Sequence, residues 1–279
     1  MAYKNILTVL SDLRQATQLD AAVALAEQQE AHLEVLCLGI DHSQAGYYFP
    51  GGTPYVFQEA METAVEDAEA LNAAVRDRLG KTAGLRWLSE AAVAQSGAIG
   101  NLVGMRARYS DLTLLSQPYG VESPGSAEAV TEAALFEGSC PVLVLPETGL
   151  PQNGIKRVLV AWNQSTEAMA AIRRALPLLR AADDVEITVI DPGRNGVERS
   201  EPGAALAQFL TRHGVRAEVA ILARTSPTIS EEINRRATEI GADMIVMGAY
   251  GHSRFREAIL GGATRNMLEK AKVPVFMAR

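Results

Sequence analysis

Ala242-Asp243-Met244-Ile245-Val246-Met247 runs directly into Gly248-Ala249-Tyr250-Gly251, and nine residues later the chain reads Gly261-Gly262-Ala263-Thr264 before Arg265-Asn266-Met267-Leu268-Glu269-Lys270. The first of these runs is short and apolar, as a buried strand is, and the last reads as a helix. A strand, a glycine-punctuated loop and a helix start together can hold a phosphate group. Glycine lets the backbone approach an anion closely, and the first turn of a helix offers unpaired N–H groups at the positive end of its dipole.

Working outward from this stretch, the chain proves to be written twice. Lys4-Asn5-Ile6-Leu7-Thr8-Val9-Leu10 and Lys156-Arg157-Val158-Leu159-Val160-Ala161-Trp162 begin two similar segments. Cys140-Pro141-Val142-Leu143-Val144-Leu145 and Val273-Pro274-Val275-Phe276-Met277-Ala278 end them, and Ser110-Asp111-Leu112-Thr113-Leu114-Leu115 mirrors Ala242–Met247. The starts lie 152 positions apart and the ends 133, so the second copy is 19 residues shorter, mostly after its second strand. The join, Pro146–Gly154, is rich in chain breakers and reads as a linker. Two domains follow, 1–147 and 154–279.

Within the second copy the strand candidates are Arg157–Ala161, Val185–Ile190, Arg216–Leu222, Met244–Met247 and Val275–Met277. Helical candidates alternate with them: Ser165–Arg180, Gly203–His213, Ile229–Ile240 and Gly262–Lys270, with Ser165 and Ser230 as N-caps and Gly214 at a C-cap. Such alternation gives βαβ units and a parallel sheet with helices on both faces. Ligands bind such sheets beyond the carboxyl ends of the strands, where successive crossovers leave for opposite faces. Those loops follow the first and fourth strands, and the glycine run follows the fourth.

The 279 residues, 48% of them hydrophobic, suffice for one large core or two ordinary ones. No apolar run approaches the roughly 20 residues a bilayer span requires. The N-terminus enters a strand-like run at once without signal-peptide anatomy, which predicts a cytoplasmic protein. Cys37 and Cys140 form neither a CxxC pair nor a zinc spacing and read as reduced thiols. A net charge of −7 argues against broad nucleic-acid binding, although backbone amides can hold a phosphate whatever the net charge. Gly80-Lys81-Thr82 resembles the end of a Walker A loop, but position 75 is valine and the cradle is absent. GxGxxG, GxSxG and HExxH are missing too, and no acid–base pair has an assignable spacing, so no catalytic residue is named.

The run from Ala242 to Thr264 resembles the nucleotide-binding members of the universal stress protein family, whose pattern is G-x2-G-x9-G-[ST] after an ADxIVMG-type strand. Here the pattern is carried by Gly248, Gly251 and Gly261, with Gly262 where serine is usual. The resemblance covers the whole chain as a tandem pair and is strongest from Ala242 to Met277. It implies an α/β fold of two Rossmann-like or flavodoxin-like domains, each a five-stranded parallel sheet with helices on both faces. It also implies pairing of domains through their last strands, a cytoplasmic stress-response role, and ATP or another adenine nucleotide as ligand, with or without Mg2+. By the family pattern Gly248, Gly251, Gly261, Gly262, Ala263 and Thr264 surround ribose and phosphates. Asn163 stands where an aspartate usually meets adenine or ribose, after Ala161 and Trp162, and Val189 matches the apolar strand-two residue against adenine. Asn163 loses a charge and gains a donor, and Gly262 lacks the usual hydroxyl but keeps its backbone N–H, with the Thr264 hydroxyl as the alternative donor.

The first copy lacks the glycines. Ser116 falls opposite Gly248, Tyr119 opposite Gly251, and Glu128 and Ala129 opposite Gly261 and Gly262. A carboxylate at a helix N-terminus satisfies the dipole and repels phosphate, so one competent site is expected, in the second copy. The bland alternatives stay open. On those readings the glycines serve turns and packing alone, Asn163 suits a loop start, His252 is an exposed loop residue by default, and Arg254 and Arg256 read as a solvated surface pair as readily as phosphate partners. Tyr47–Tyr55 is either a lid or interface patch, or a loop folded on its own domain. Trp87 belongs to an ordinary strand. The leading function is a nucleotide-binding signalling module. The alternatives are a slow ATPase or self-phosphorylating enzyme, with Ser253 and Thr264 as the hydroxyls to suspect, and a structural pseudo-dimer without nucleotide. Association into a homodimer is open; no nucleic acid and no membrane partner is expected.

Overall fold

A computed structural model describes residues 2–41, 43, 54–120, 123–192, 201–249 and 263–279, with the backbone alone for 54–57 and 263. Gly251, Gly261 and Gly262 lie outside the described residues, as do His252, Ser253, Arg254, Arg256 and 47–53 of the aromatic stretch. Contacts divide the chain into two compact units, Ala2–Cys140 and Pro141–Arg279.

The first unit runs β1 (Asn5–Leu10), α1 (Ala16–Gln29), β2 (His32–Asp41), α2 (Pro54–Leu79), β3 (Arg86–Gln95), α3 (Ile99–Ala107), β4 (Leu112–Ser116) and α4 (Ala127–Phe136). Its strands pair in parallel in the order β3-β2-β1-β4. The strands are near-continuous apolar runs because helices follow each of them: in β1, Ile6 and Leu7 are wholly buried, and in β4 so are Leu112 and Leu114. Trp87 lies in β3, as the sequence predicts.

The second unit runs β5 (Val142–Leu145), β6 (Arg157–Ala161), α5 (Thr166–Ala181), β7 (Asp184–Ile190), α6 (Ala204–Arg212), β8 (Ala217–Leu222), α7 (Ile229–Ile240), β9 (Met244–Gly248), α8 (Ala263–Lys270) and β10 (Val275–Ala278). Its order is β8-β7-β6-β9-β10-β5, parallel except for β5, which lies antiparallel against β10 with Phe276 opposite Leu143. β5 is the last strand of the first copy in sequence, yet its contacts group it with the second unit. There it covers the edge of β10, whose unpaired amides and carbonyls would otherwise be exposed. This is an α/β fold of mostly parallel strands in both copies.

The duplication recurs in side-chain detail. Asp111 Oδ2 accepts from the backbone N–H of Lys4 at 2.7 Å and of Asn5 at 3.0 Å. Asp243 Oδ2 accepts from Lys156 N–H at 2.9 Å and Arg157 N–H at 2.8 Å. Each aspartate thus ties the start of the fourth strand of its copy to the start of the first and fixes their register. The repeated Asp read from sequence as part of a strand motif is a structural clamp.

Helix ends follow local chemistry with one correction. Ser165 caps α5, its hydroxyl accepting from Ala168 N–H at 3.1 Å. Gly214 follows the end of α6 with φ +77°, the left-handed turn that glycine takes without a Cβ penalty. The cap of α7 is Thr228 and not Ser230: Thr228 accepts from Glu231 N–H while the Glu231 side chain accepts from Thr228 N–H, a capping box. Ser230 is buried, 3.1 Å from the Thr228 hydroxyl. Cys37 and Cys140 are buried thiols outside any disulfide, and burial pushes the Cys37 thiol up to about 11, where it stays protonated and inert.

Candidate functional site

The two copies have the same strand register around their first strands. Pairing of β1 with β4 is Ile6–Leu112, Leu7–Thr113 and Thr8–Leu114; pairing of β6 with β9 is Val158–Met244, Leu159–Ile245 and Val160–Val246. In each copy the first strand lies between the second and the fourth, so crossovers leave it on both sides. Ligands bind such sheets in the crevice at this point.

In the second copy the residues around this point are those that the sequence singles out. Ala161 ends β6, and Trp162 N–H donates to Thr188 O at 3.0 Å, continuing the ladder with β7. The Trp162 indole N–H is buried and has no hydrogen-bond partner among the described residues. Asn163 is exposed, and its side-chain oxygen accepts from Ser165 N–H at 3.1 Å, forming the turn that starts α5. The turn role expected of asparagine therefore holds. Val189 is 5% exposed in β7 and lies with Ile187 under the start of α6 at Gly203.

Gly248 ends β9, and its missing side chain has a packing cause. A Cβ there would sit 2.5 Å from Ala168 N and 2.7 Å from Glu167 C, so glycine is what lets the first turn of α5 rest on the end of β9. Such distances are never reached by real Cβ atoms, so backbone would have to move. Ala263 opens α8, and Thr264 in its first turn is 3% exposed. That first turn carries no acidic residue.

In the first copy the same place is filled. Gln18 of α1, 1% exposed, extends its carboxamide between β1 and β4. Its Nε2 donates to Thr8 Oγ1 at 2.8 Å and Val9 O at 2.9 Å, and its Oε1 accepts from Ser116 N–H and the Ser116 hydroxyl, both at 2.8 Å. Glu128 stands in the first turn of α4, as expected from sequence, and accepts from the Tyr119 hydroxyl at 2.8 Å. Counted from the helix starts Ala127 and Ala263, Glu128 matches Thr264, not Gly261 as the alignment by the last strand has it, and Gly125-Ser126 precede α4 in the chain as Gly261-Gly262 precede α8. The alignment gave Glu128; it could not give Gln18, whose partners lie up to 98 residues away.

Sequence reasoning also passed over Glu232, wholly buried near the start of α7. Its Oε2 accepts from Ser226 N–H at 2.9 Å and from Thr225 N–H and the Thr225 hydroxyl at 3.2 Å each, and Oε1 pairs with Arg235. The Ser226 side chain foremost, then Arg235 and the two amides, outweigh burial and hold this carboxyl down to about 2. Glu232 fixes the loop between β8 and α7, at the carboxyl edge of the sheet. Thr228 and Glu231 carry the capping-box pattern that the sequence reading missed in favour of Ser230, and nothing in the sequence marks Glu232 as buried.

Fold and site together define an α/β protein with a duplicated parallel-sheet crevice; of the helix starts that follow the fourth strands, the one in the second copy has no carboxylate in its first turn. The family model described as "Universal stress protein family" matches residues 154–279. Universal stress protein Slr1230 from Synechocystis is 28% identical over 145 residues, half of this chain and 47% of that protein. Universal stress protein MJ0577 from Methanocaldococcus jannaschii is 37% identical over 49 residues, 18% of this chain and 30% of that protein. The matches thus span about half, or less, of these relatives' own length. A universal stress protein from Archaeoglobus fulgidus has the same fold over 99% of this chain and 96% of its own, with a TM-score of 0.70 at 16% identity. Residues 154–279 thus match the model of this family, and the chain as a whole shares the fold of the Archaeoglobus fulgidus protein. Among the described residues no helix is long and apolar enough to cross a membrane.

Proposed function

We propose that the second copy binds ATP or a related adenine nucleotide at the carboxyl ends of β6 and β9, and that the chain works as a cytoplasmic stress-response module that changes partners when the site is filled. The observation that carries this reading is the contrast between two helix starts. The first turn of α8 has no acidic residue, whereas the matching turn of α4 holds Glu128. Only the former leaves its N–H groups and dipole to an anion. Ala161, Trp162, Asn163 and Val189 form the base and ribose side of the proposed site. Gly248, Gly251, Gly261, Gly262, Ala263 and Thr264 form its phosphate side, with Mg2+ as an optional companion of the phosphates. The nucleotide acts as a population-shifting ligand and not as a consumed substrate.

Calorimetric titration with ATP, ADP, AMP and cyclic AMP tests this on the wild type and on Gly261→Glu. One nucleotide per chain, lost in the variant, is expected. Equal binding by the two proteins, or two nucleotides per chain, rules the assignment out. Labelled ATP retained without product separates the binding module from a slow ATPase or a self-phosphorylating enzyme.

A further inference from the structure

We propose that the crevice at the carboxyl ends of β1 and β4 is a carboxamide-binding site whose resident occupant is the side chain of Gln18. This does not depend on nucleotide binding by the second copy. An inward position on a helix ordinarily carries an apolar side chain, and a buried amide without partners is costly. Here every hydrogen-bonding position of the amide is met. The two N–H bonds reach Thr8 Oγ1 and Val9 O, and the carbonyl oxygen accepts from Ser116 N–H, the Ser116 hydroxyl and Gln15 Nε2, the last at 3.0 Å. Thr8 is wholly buried and passes its own proton on to Leu114 O at 2.9 Å, which leaves its oxygen facing Gln18 as an acceptor. The arrangement therefore distinguishes a primary amide from a carboxylate, which has no N–H to give, and from an alkyl group, which has neither function. Beside the amide lies a cavity of about 10 Å3, room for a single water, lined by Ser11, Ser126 and Thr131 among others.

The second copy does not repeat this device. At the position matching Ser116, Gly248 rests directly on the backbone of α5 at Ala168, so no side chain of that helix is needed to fill the gap. Gln18 is thus a feature of the first copy alone, and it closes the floor of the crevice in which the second copy is proposed to hold a ligand.

The full chain carrying Gln18→Ala tests the proposal, because the atoms removed correspond to one acetamide molecule. The thermal midpoint is expected to fall by roughly 5 °C, as loss of several buried hydrogen bonds in a domain of this size implies. Acetamide should then raise the variant's midpoint with concentration while leaving the wild type unmoved, and N,N-dimethylacetamide, which has no N–H, should not. Equal shifts in wild type and variant, or equal rescue by the dimethyl compound, overturn the proposal. Should Gln18→Ala not fold, Gln18→Met fills the space without the amide. Hydrogen exchange at the Ser116 N–H, measured by NMR, should then quicken at least about tenfold while Leu114 keeps its protection. Unchanged exchange at Ser116 in Gln18→Met overturns the proposal equally.

Discussion

The crevices of the two copies start from the same strand register and end with opposite contents. In the first, a helix side chain, Gln18, reaches across to the end of β4, and Tyr119 and Glu128 bridge the loop and helix start above it. In the second, Gly248 draws the helix backbone itself onto the end of β9, and the following helix begins without a carboxylate. One copy has thus spent its polar side chains on itself; the other keeps a helix N-terminus without acidic competition. Duplication preserves what holds the sheet, such as Asp111 and Asp243, and lets the crevice diverge, because strand pairing depends on backbone and the crevice depends on individual side chains.

The most demanding break of this comparison is Gly261→Glu, which sets a carboxylate two positions before α8 in the chain, where α4 has Glu128 in its first turn. At an effective dielectric near 20, like charges about 4 Å apart cost roughly 4 kcal/mol, about a thousandfold in Kd. Calorimetry should therefore detect no binding. The converse change, Glu128→Gly, should create no second site, because Gln18 still fills the floor; a stoichiometry of two would dissolve the contrast.

Packing supplies the next test. Gly248→Ala forces a methyl against the backbone of α5 and should lower stability by about 2–3 kcal/mol in urea unfolding. Ser116→Ala at the matching position loses a hydroxyl bond to Gln18 and should cost about 1 kcal/mol. If the two changes cost the same, the two crevice floors are not built differently. The clamps test the opposite side of the comparison. Asp111→Ala and Asp243→Ala each remove two hydrogen bonds to a charged group, and each should lose about 1.5 kcal/mol, to within experimental error of one another.

A pH series distinguishes the copies through Glu232, which lies in the second. Its carboxyl is held below the ordinary 4.5, at about 2, so the stabilisation is complete above pH 4.5 and fades as the pH falls toward 2. The difference in urea midpoint between wild type and Glu232→Gln should follow this course, large at neutral pH and gone near pH 2. A difference that grows on acidification would contradict the buried, ionised carboxylate. Smallest of all, Tyr119→Phe should shift stability by less than about 0.5 kcal/mol, since its bond to Glu128 is exposed.

Much of the second copy was legible in its residues. α7 spans Ile229–Ile240 and β6 spans Arg157–Ala161 as read, because apolar periodicity and breakers at both ends are local signals. The cap of α7 was misplaced by two residues, since Thr228 and Ser230 are both good caps and only the reciprocal bond with Glu231 decides between them. The glycine at 248 was visible, but its contact with Ala168, 80 positions earlier in the chain, was not. Gln18 and Glu232 were passed over for a related reason: a polar letter on a helix reads as solvent-facing until its partners are known.

By itself the sequence determined the duplication, the alternation of strands and helices, and the place where a parallel sheet offers a crevice. These rest on periodicities of the backbone, which are written locally. Only the tertiary structure decided what occupies that crevice in each copy, and that β5 lies against β10 in the second unit. Occupancy depends on side chains brought together across many tens of residues, and no local pattern encodes the distance between them.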